Sequence, residues 1–286
     1  MTLKERLRQG GLVTAPGVYD LISARLADGF GFEAIYMTGY GVAASLLGMP
    51  DAGYATYSDM VGRVRQIAER TTTPLIADAD TGFGGALNVQ QAVRGYEQAG
   101  AAGIQIEDQE FPKRCGHTLG RRVVPIEDMA TKIRVAVDAR QSDDFLIVAR
   151  TDARTSLGLD EALRRGEAFA AAGADVLFIE SPESEDEMAQ ICQSFDAPLL
   201  ANMADGGRTP VLPAARLEEL GYAIAIFPGT AFLAATQAMA RAYGHLKEQG
   251  SSAEIDLALY PFEEMNKLMG FEEVWAFDDT YGSTDT

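Results

Sequence analysis

Residues 98–108 read Gln98-Ala99-Gly100-Ala101-Ala102-Gly103-Ile104-Gln105-Ile106-Glu107-Asp108. A helical pattern beginning near Asn88 ends here in a small-residue turn, and a short apolar strand then stops on two carboxylates. Glycine just past a helix suits the left-handed C′ position. An apolar run of this length reads as a strand buried on both faces. The unit recurs. Asp28-Gly29-Phe30-Gly31-Phe32-Glu33 precedes Ala34–Met37, Ala171-Ala172-Gly173-Ala174 precedes Asp175–Ile179, and Glu219-Leu220-Gly221 precedes Tyr222–Phe227. Leu12–Ala15, Pro74–Ala77, Phe145–Ala149 and Pro198–Ala201 complete a set of eight candidate strands.

Helical patterns such as Leu159–Ala172 fill the intervals, so strand and helix alternate eight times. That pattern predicts an α/β fold of the (β/α)8 TIM-barrel type. The rival is a doubly wound open sheet, but no Gly-x-Gly-x-x-Gly turn follows the first strand. With 286 residues, 47% of them hydrophobic, the chain suits one large barrel. A single domain over 1–286 is expected, with 235–286 as C-terminal helices. Met265, Met269, Phe271 and Trp275 in that extension suit packing on a neighbouring subunit or on the chain's own barrel.

The net charge of −18 argues against nucleic acid and anionic membranes as partners. Residues 251–286 supply −8 of it, from nine acids and one lysine. Residues 113–122 instead hold Lys113, Arg114, Arg121 and Arg122 and no acid, a local patch that suggests a small anionic ligand. No run of about 18 apolar residues indicates a membrane span, and the N-terminus lacks a secretory apolar core. Two cysteines give no disulfide framework. A cytoplasmic protein is expected.

In a barrel of this kind the active site lies at the C-terminal strand ends. There the strands deliver Tyr36 and the turn Thr38-Gly39-Tyr40-Gly41, Asp78 and Asp80, Glu107 and Asp108, Arg150 and Asp152, Glu180, and Asn202. Clustered carboxylates without a cysteine–histidine set favour a hard cation, Mg²⁺ foremost and Mn²⁺ as the alternative. Asp78 and Asp80, two apart on a continuing strand, would share a face; helix capping is the alternative for Asp80 alone. The run Lys113-Arg114-Cys115-Gly116-His117 places a thiol among positive charges, where it can exchange a proton near neutrality. Metal and Arg150 would stabilise a developing enolate, while Cys115 handles the proton at carbon. Nucleophilic catalysis by Cys115 is the alternative, without an oxyanion-hole sequence to favour it. Cys192 reads as core.

Several stretches together resemble the isocitrate lyase/phosphoenolpyruvate mutase superfamily. They are Pro16-Gly17-Val18-Tyr19-Asp20, Thr38–Gly41, Leu47-Gly48-Met49-Pro50-Asp51, Asp78-Ala79-Asp80-Thr81-Gly82-Phe83-Gly84, Ile106–Gln109 and the Lys-Arg-Cys-Gly-His loop. The resemblance implies a barrel, usually a homotetramer with the last barrel helix swapped, that uses Mg²⁺ and forms the enolate of a short keto acid. It implies Asp78 as direct metal ligand, with Asp51, Asp80 and Glu107 binding through water. Thr38, Gly39 and Tyr40 would receive a substrate carboxylate and Arg150 steady its oxygens. Tyr36 and Lys113 would help deprotonate the 2-hydroxyl, and Cys115 would be the catalytic thiol with Gly116 and His117 beside the substrate. Glu180, Asn202, Thr209 and Pro210 would surround its far end.

The thiol loop resembles the lyase branch, which implies cleavage of a 2-hydroxy di- or tricarboxylate to an α-keto acid and a second carboxylate. Residues 201–210 depart from the Asn-Ile-Thr-Glu-Phe-Gly pattern of bacterial 2-methylisocitrate lyases and look closer to lyases of 2-alkylmalates such as 2,3-dimethylmalate, and to carboxyphosphonoenolpyruvate mutase. Ala204 and Asp205 add no cation for a third carboxylate. Oxaloacetate hydrolysis or decarboxylation, and a carboxyphosphonoenolpyruvate or other phosphonate mutase reaction, are the rivals on the same scaffold. A non-enzymatic metabolite-binding barrel is the rival from another class.

Overall fold

The computed structural model describes residues 1–116, 118 and 120–282. All eight predicted strands form: β1 (Val13–Val18), β2 (Ile35–Met37), β3 (Leu75–Asp78), β4 (Gly103–Glu107), β5 (Leu146–Thr151), β6 (Val176–Ile179), β7 (Leu200–Asn202) and β8 (Ile224–Phe227). They pair in parallel in the order β6-β5-β4-β3-β2-β1-β8-β7, and a parallel bridge between Leu177 and Leu199 joins the two ends. The fold is a (β/α)8 barrel, with a helix between successive strands.

Two apolar layers follow from the alternation of strand side chains. Val13, Ala15, Tyr36, Ile76, Leu146, Val148, Val176, Phe178, Leu200, Ile224 and Ile226 form one cluster, the barrel interior. Leu3 and Leu7 of the helix Leu3–Arg8 belong to that cluster and plug its N-terminal end. The other parity, including Ile35, Met37, Leu75, Ala77, Ile104, Ile106, Ile147 and Ala149, packs outward under the helices. The same count places Asp78, Gln105, Glu107 and Arg150 on the interior parity, above the apolar floor.

β1 runs three residues past its predicted end. Proline and glycine usually break a strand, yet Pro16 stays in register with Phe227 of β8. Gly17 is needed there because a β-carbon would lie 2.5 Å from the Pro228 backbone.

The chain divides into two compact units, Met1–Phe232 and the remainder from Leu233. The second unit carries most of the helix Thr230–Gln249, then helices Phe262–Met269 and Phe271–Tyr281, with Gly270 between them at φ 87°. None of its described residues is buried, and Phe262, Phe271, Trp275, Phe277 and Tyr281 are exposed.

Candidate active site

Strand parity brings the polar residues together at one end of the barrel. Arg150, next to last in β5, lies beside Glu107 of β4, its register partner. Its Nε donates to Asp152 Oδ2 and its Nη2 to Asp152 Oδ1, both at 2.9 Å. The guanidinium also faces Glu107 Oε2 at 3.4 Å and Glu180 Oε2 at 3.2 Å, and its Cζ lies 5.0 Å from the Phe178 ring centroid. Burial opposes its charge, but Asp152 and Glu107 outweigh that and hold its pKa well above the ordinary value. Asn202 Nδ2 donates to Glu180 Oε2 at 3.1 Å, which extends the group to β7.

Asp78 ends β3. Its Oδ1 accepts from the Asp80 N–H at 2.9 Å and from Gln105 Nε2 at 3.3 Å, and its Oδ2 accepts from the Gly39 N–H at 3.3 Å. A side chain at position 39 would bring Cβ within 2.5 Å of Asp78 Oδ2, so only glycine permits this approach. Asp80 does not continue the strand. It adopts φ 48°, so the expectation of a shared strand face fails, because alternation ends with the ladder. Nor does it cap a helix, since Gly85 precedes the helix Ala86–Gln98. Its Oδ1 instead lies 2.6 Å from Lys113 Nζ, which also pairs with Asp51.

Burial raises the pKa of Asp78 against the pull of Lys113 and Arg150. Burial also lifts Asp80 to about 7, and Glu107 well above the carboxylate range. Lys113 is nearly enclosed; burial opposes its charge, but Asp80 and Asp51 hold the ammonium well above its ordinary value. Tyr36 donates from its hydroxyl to Gln105 Oε1 at 2.5 Å, and burial followed by the charge of Asp78 raises its pKa well above the usual phenol. Both side chains therefore hold their protons in this arrangement.

The four carboxylates assigned to a metal do not make a ready cage. Among the described residues no three of His, Cys, Asp and Glu converge at ligand positions. The reason is local: the Lys113 ammonium sits between Asp51 and Asp80. The donor set nevertheless fits a hydrated hard dication. Asp51 and Asp80 share one ammonium, Arg150 is divided among Glu107, Asp152 and Glu180, and Asp78 is held by N–H donors. The resulting excess of buried negative charge suits an ion that keeps its waters and takes few direct ligands.

The thiol loop lies over this group. The Cys115 N–H donates to the Asp51 carbonyl at 3.0 Å, and Ser181 Oγ donates to the Gly116 carbonyl at 3.1 Å. Cys115 is partly exposed, whereas burial pushes the Cys192 thiol up to about 11. His117 lies outside the described residues. Thr38 is buried, and Tyr40 is half exposed with its ring 5.5 Å from Phe232. Thr209 and Pro210 lie on the segment after β7, outside this hydrogen-bonded group, with Thr209 Oγ1 buried and lacking a hydrogen-bond partner among the described residues.

Three of the four members of the expected cationic patch pair with the chain's own acids. Lys113 pairs as above, Arg121 pairs with buried Asp152, and Arg122 pairs with Glu110 at 2.7 Å. Sequence reasoning gave no role to Gln105, which bridges Tyr36 and Asp78, or to Gln109, whose Nε2 donates to Glu107 Oε1 at 2.9 Å and to the Arg114 carbonyl at 2.8 Å. It also overlooked Arg165, which donates to Asp108 at 2.9 Å. For Gln105 the signal was available, as the one polar residue inside an apolar strand, two before Glu107.

Residues 3–247 match the family described as Phosphoenolpyruvate phosphomutase. The chain is 49% identical to the 2,3-dimethylmalate lyase of Eubacterium barkeri over 98% of its own length and 97% of that protein. It is 42% identical to the 2-methylisocitrate lyase of Aeropyrum pernix, covering 96% and 88%. A crystal structure of 2,3-dimethylmalate lyase, described as a PEP mutase/isocitrate lyase superfamily member, superimposes with a TM-score of 0.92 at 39% identity, covering 99% of this chain and 95% of that one. Phosphonopyruvate hydrolase, solved with oxalate and Mg²⁺, gives 0.89 at 34% identity, covering 99% and 100%.

Proposed function

The chain belongs to the phosphoenolpyruvate mutase/isocitrate lyase superfamily and is a carbon–carbon lyase acting on a 2-hydroxy di- or tricarboxylate; on that premise we propose that its substrate is a dicarboxylate of the 2-alkylmalate type and its metal is Mg²⁺. The observation that carries the dicarboxylate reading is the charge of the segment after β7. Arg208 is its sole cation in sequence, and Glu183 already engages it at 3.0 Å. A third carboxylate would meet Glu180 rather than a positive charge.

The metal would be held directly by Asp78 and through water by Asp51, Asp80 and Glu107, with Mn²⁺ as substitute. When bound it supplies Lewis-acid charge to the substrate's 2-oxygen and carboxylate. The chain's own groups do the rest. The Thr38-Gly39-Tyr40 turn receives the carboxylate, and Arg150 steadies it. The 2-hydroxyl proton passes into the hydrogen-bonded group of Lys113, Asp51 and Asp80. Tyr36, which keeps its own proton, braces Asp78 through Gln105 rather than acting as base. The C2–C3 bond breaks, its electron pair remains on the departing carboxylate as an enolate, and the Cys115 thiol delivers a proton to C3. The resulting thiolate regains its proton from solvent after release. Gly116 lies over the reacting centre and helps keep water out, while Glu180, Asn202, Thr209 and Pro210 line the far end.

No described helix is long and apolar enough to cross a membrane, consistent with action on a small anion in the cytoplasm. Exposed aromatic side chains on the helices Phe262–Met269 and Phe271–Tyr281 support a homotetramer, the last barrel helix being exchanged between subunits. Light scattering reads that state directly.

The test follows keto acid released from 2,3-dimethylmalate and other 2-alkylmalates, 2-methylisocitrate, isocitrate and oxaloacetate, with and without Mg²⁺. Metal-dependent release from a 2-alkylmalate, far exceeding that from 2-methylisocitrate, is expected. Comparable turnover of the tricarboxylate would overturn the dicarboxylate assignment.

A further inference from the structure

The turn after β3 carries Asp80 and is contorted. Asp80, Gly82, Phe83 and Gly84 all take positive φ, at 48°, 82°, 59° and 146°. Asp80 and Phe83 thus stand where L side chains are uncommon, a conformation the surroundings must enforce. Phe83 is clamped between helices: its ring lies 5.8 Å from Tyr57 of the helix Tyr57–Ala68 and 6.3 Å from Tyr96 of the helix Ala86–Gln98. Tyr96 is fully buried, and its hydroxyl donates to the Asp78 carbonyl at 3.1 Å.

Lys132, on the helix Ile126–Ala139, supplies a third anchor. Its Nζ donates to the Thr81 carbonyl at 2.8 Å, and among the described residues no carboxylate pairs with it. Burial disfavours its charge, and Asp128, Asp108 and Glu107 offset that only in part. A half-buried ammonium is therefore committed to one backbone carbonyl, the one following Asp80. We propose that Lys132 is a positioning residue for the metal site, holding the turn through Thr81 so that Asp80 is presented beside Asp78, with Tyr96 bracing the Asp78 backbone. The rest of the turn is bonded to its neighbours, Gly82 N–H to the Ala79 carbonyl at 2.9 Å and Glu107 N–H to the Asp80 carbonyl at 2.8 Å. Without the ammonium Thr81 is released, and Asp80 relaxes away from its strained backbone angle. Support from behind a ligand commonly sets metal affinity by about 10- to 100-fold.

The inference rests on the metal reading of Asp78 and Asp80, so its first arm is run on metal-free protein. Full-length Lys132→Met and Lys132→Arg are compared by amide hydrogen exchange, with thermal unfolding in parallel. Arg134→Met, which removes an exposed cation from the same helix, is the control. In Lys132→Met the Asp80, Gly82 and Glu107 amides should exchange about tenfold faster, as when local opening becomes easier. The amides of β8 should keep the wild-type rate. Lys132→Arg should recover most of the protection, and Arg134→Met should match wild type. Unchanged exchange in the turn, or a uniform rise that includes β8, would overturn the anchoring.

The second arm is titration calorimetry with Mg²⁺, where the sign of the change discriminates. A cation that merely stands near Glu107 and Asp108 repels a second cation, so its removal would tighten Mg²⁺ binding. Loss of a positioning contact weakens it instead. Lys132→Met should bind Mg²⁺ about tenfold more weakly, with Lys132→Arg near wild type. Equal or tighter binding in Lys132→Met would overturn the positioning role. If the wild type binds no Mg²⁺, the exchange arm still decides the anchoring, and the failure belongs to the metal assignment.

Discussion

Gly116 lies so close to Arg150 that a β-carbon at position 116 would overlap Arg150 Nη2 and sit 2.9 Å from Glu180 Oε2. Both neighbours are buried and mutually paired, so neither can move aside without breaking the Arg150 ion-pair group. Gly116→Ala should therefore leave the fold intact, hold the thiol loop off the site and cut kcat/KM roughly a hundredfold, the scale of a misplaced catalytic group. Melting temperature and steady-state cleavage check this. Full activity would mean that the loop does not rest on Arg150 during turnover.

Cys115→Ser replaces a thiol with a hydroxyl of much higher pKa and leaves the backbone contact with Asp51 in place. Turnover is expected to fall by about 10²–10⁴, the usual worth of a positioned proton donor. Mg²⁺ binding measured by calorimetry should be unchanged. Undiminished turnover would remove Cys115 from the mechanism.

The raised carboxylates give a pH signature. In the folded chain Asp80 titrates at about 7, above its ordinary range, because it is buried beside other acids. Between these two values the folded state binds more protons than the unfolded state. Stability from this group is thus greatest at low pH, declines as pH rises towards 7 and levels off above it. Thermal unfolding in EDTA should show that decline, and Asp80→Asn should flatten it. A divalent cation must displace the proton, so Mg²⁺ affinity should rise with pH, approaching about tenfold per unit below 7 for each proton displaced. A pH-independent affinity would place the ion elsewhere.

Asp108 holds together the far side of the site. Its Oδ2 accepts from Arg165 at 2.9 Å and Thr151 Oγ1 at 2.7 Å, and its Oδ1 from the Asp152 N–H at 2.9 Å. Burial, followed by the charge of Asp152, pushes its pKa up to about 6. Asp108→Ala leaves the buried Arg165 guanidinium with Glu161 as its remaining acid and should cost about 3 kcal/mol in denaturant unfolding, the lower end for a broken buried pair. Asp108→Asn, which keeps acceptor and shape, should cost less.

The barrel was legible because its strands are buried on both faces, so apolar runs such as Ala34–Met37 and Asp175–Ile179 stand out from amphipathic helices. The strand-end acids were legible for the same reason, as polar residues closing apolar runs. What stayed hidden depends on contacts between distant residues. Nothing around Lys113 announces that its ammonium fills the gap between Asp51 and Asp80, sixty-two and thirty-three positions back. Arg121 reads as part of an anion-binding patch until the fold places Asp152 against it. Asp80 misled through its backbone: a positive φ in a non-glycine residue is a tertiary outcome, and strand parity cannot foresee it.

The apolar floor beneath the site, from Tyr36 and Phe178 down to the plug of Leu3 and Leu7, has a consequence for redesign. Each reacting group stands on a strand terminus or the loop beyond it, while the lower interior positions of the barrel carry hydrocarbon alone. Loops can then be exchanged for those of relatives with other chemistries while the foundation stays untouched. The lower half behaves as a chassis, and the choice of reaction is carried in replaceable parts on its rim.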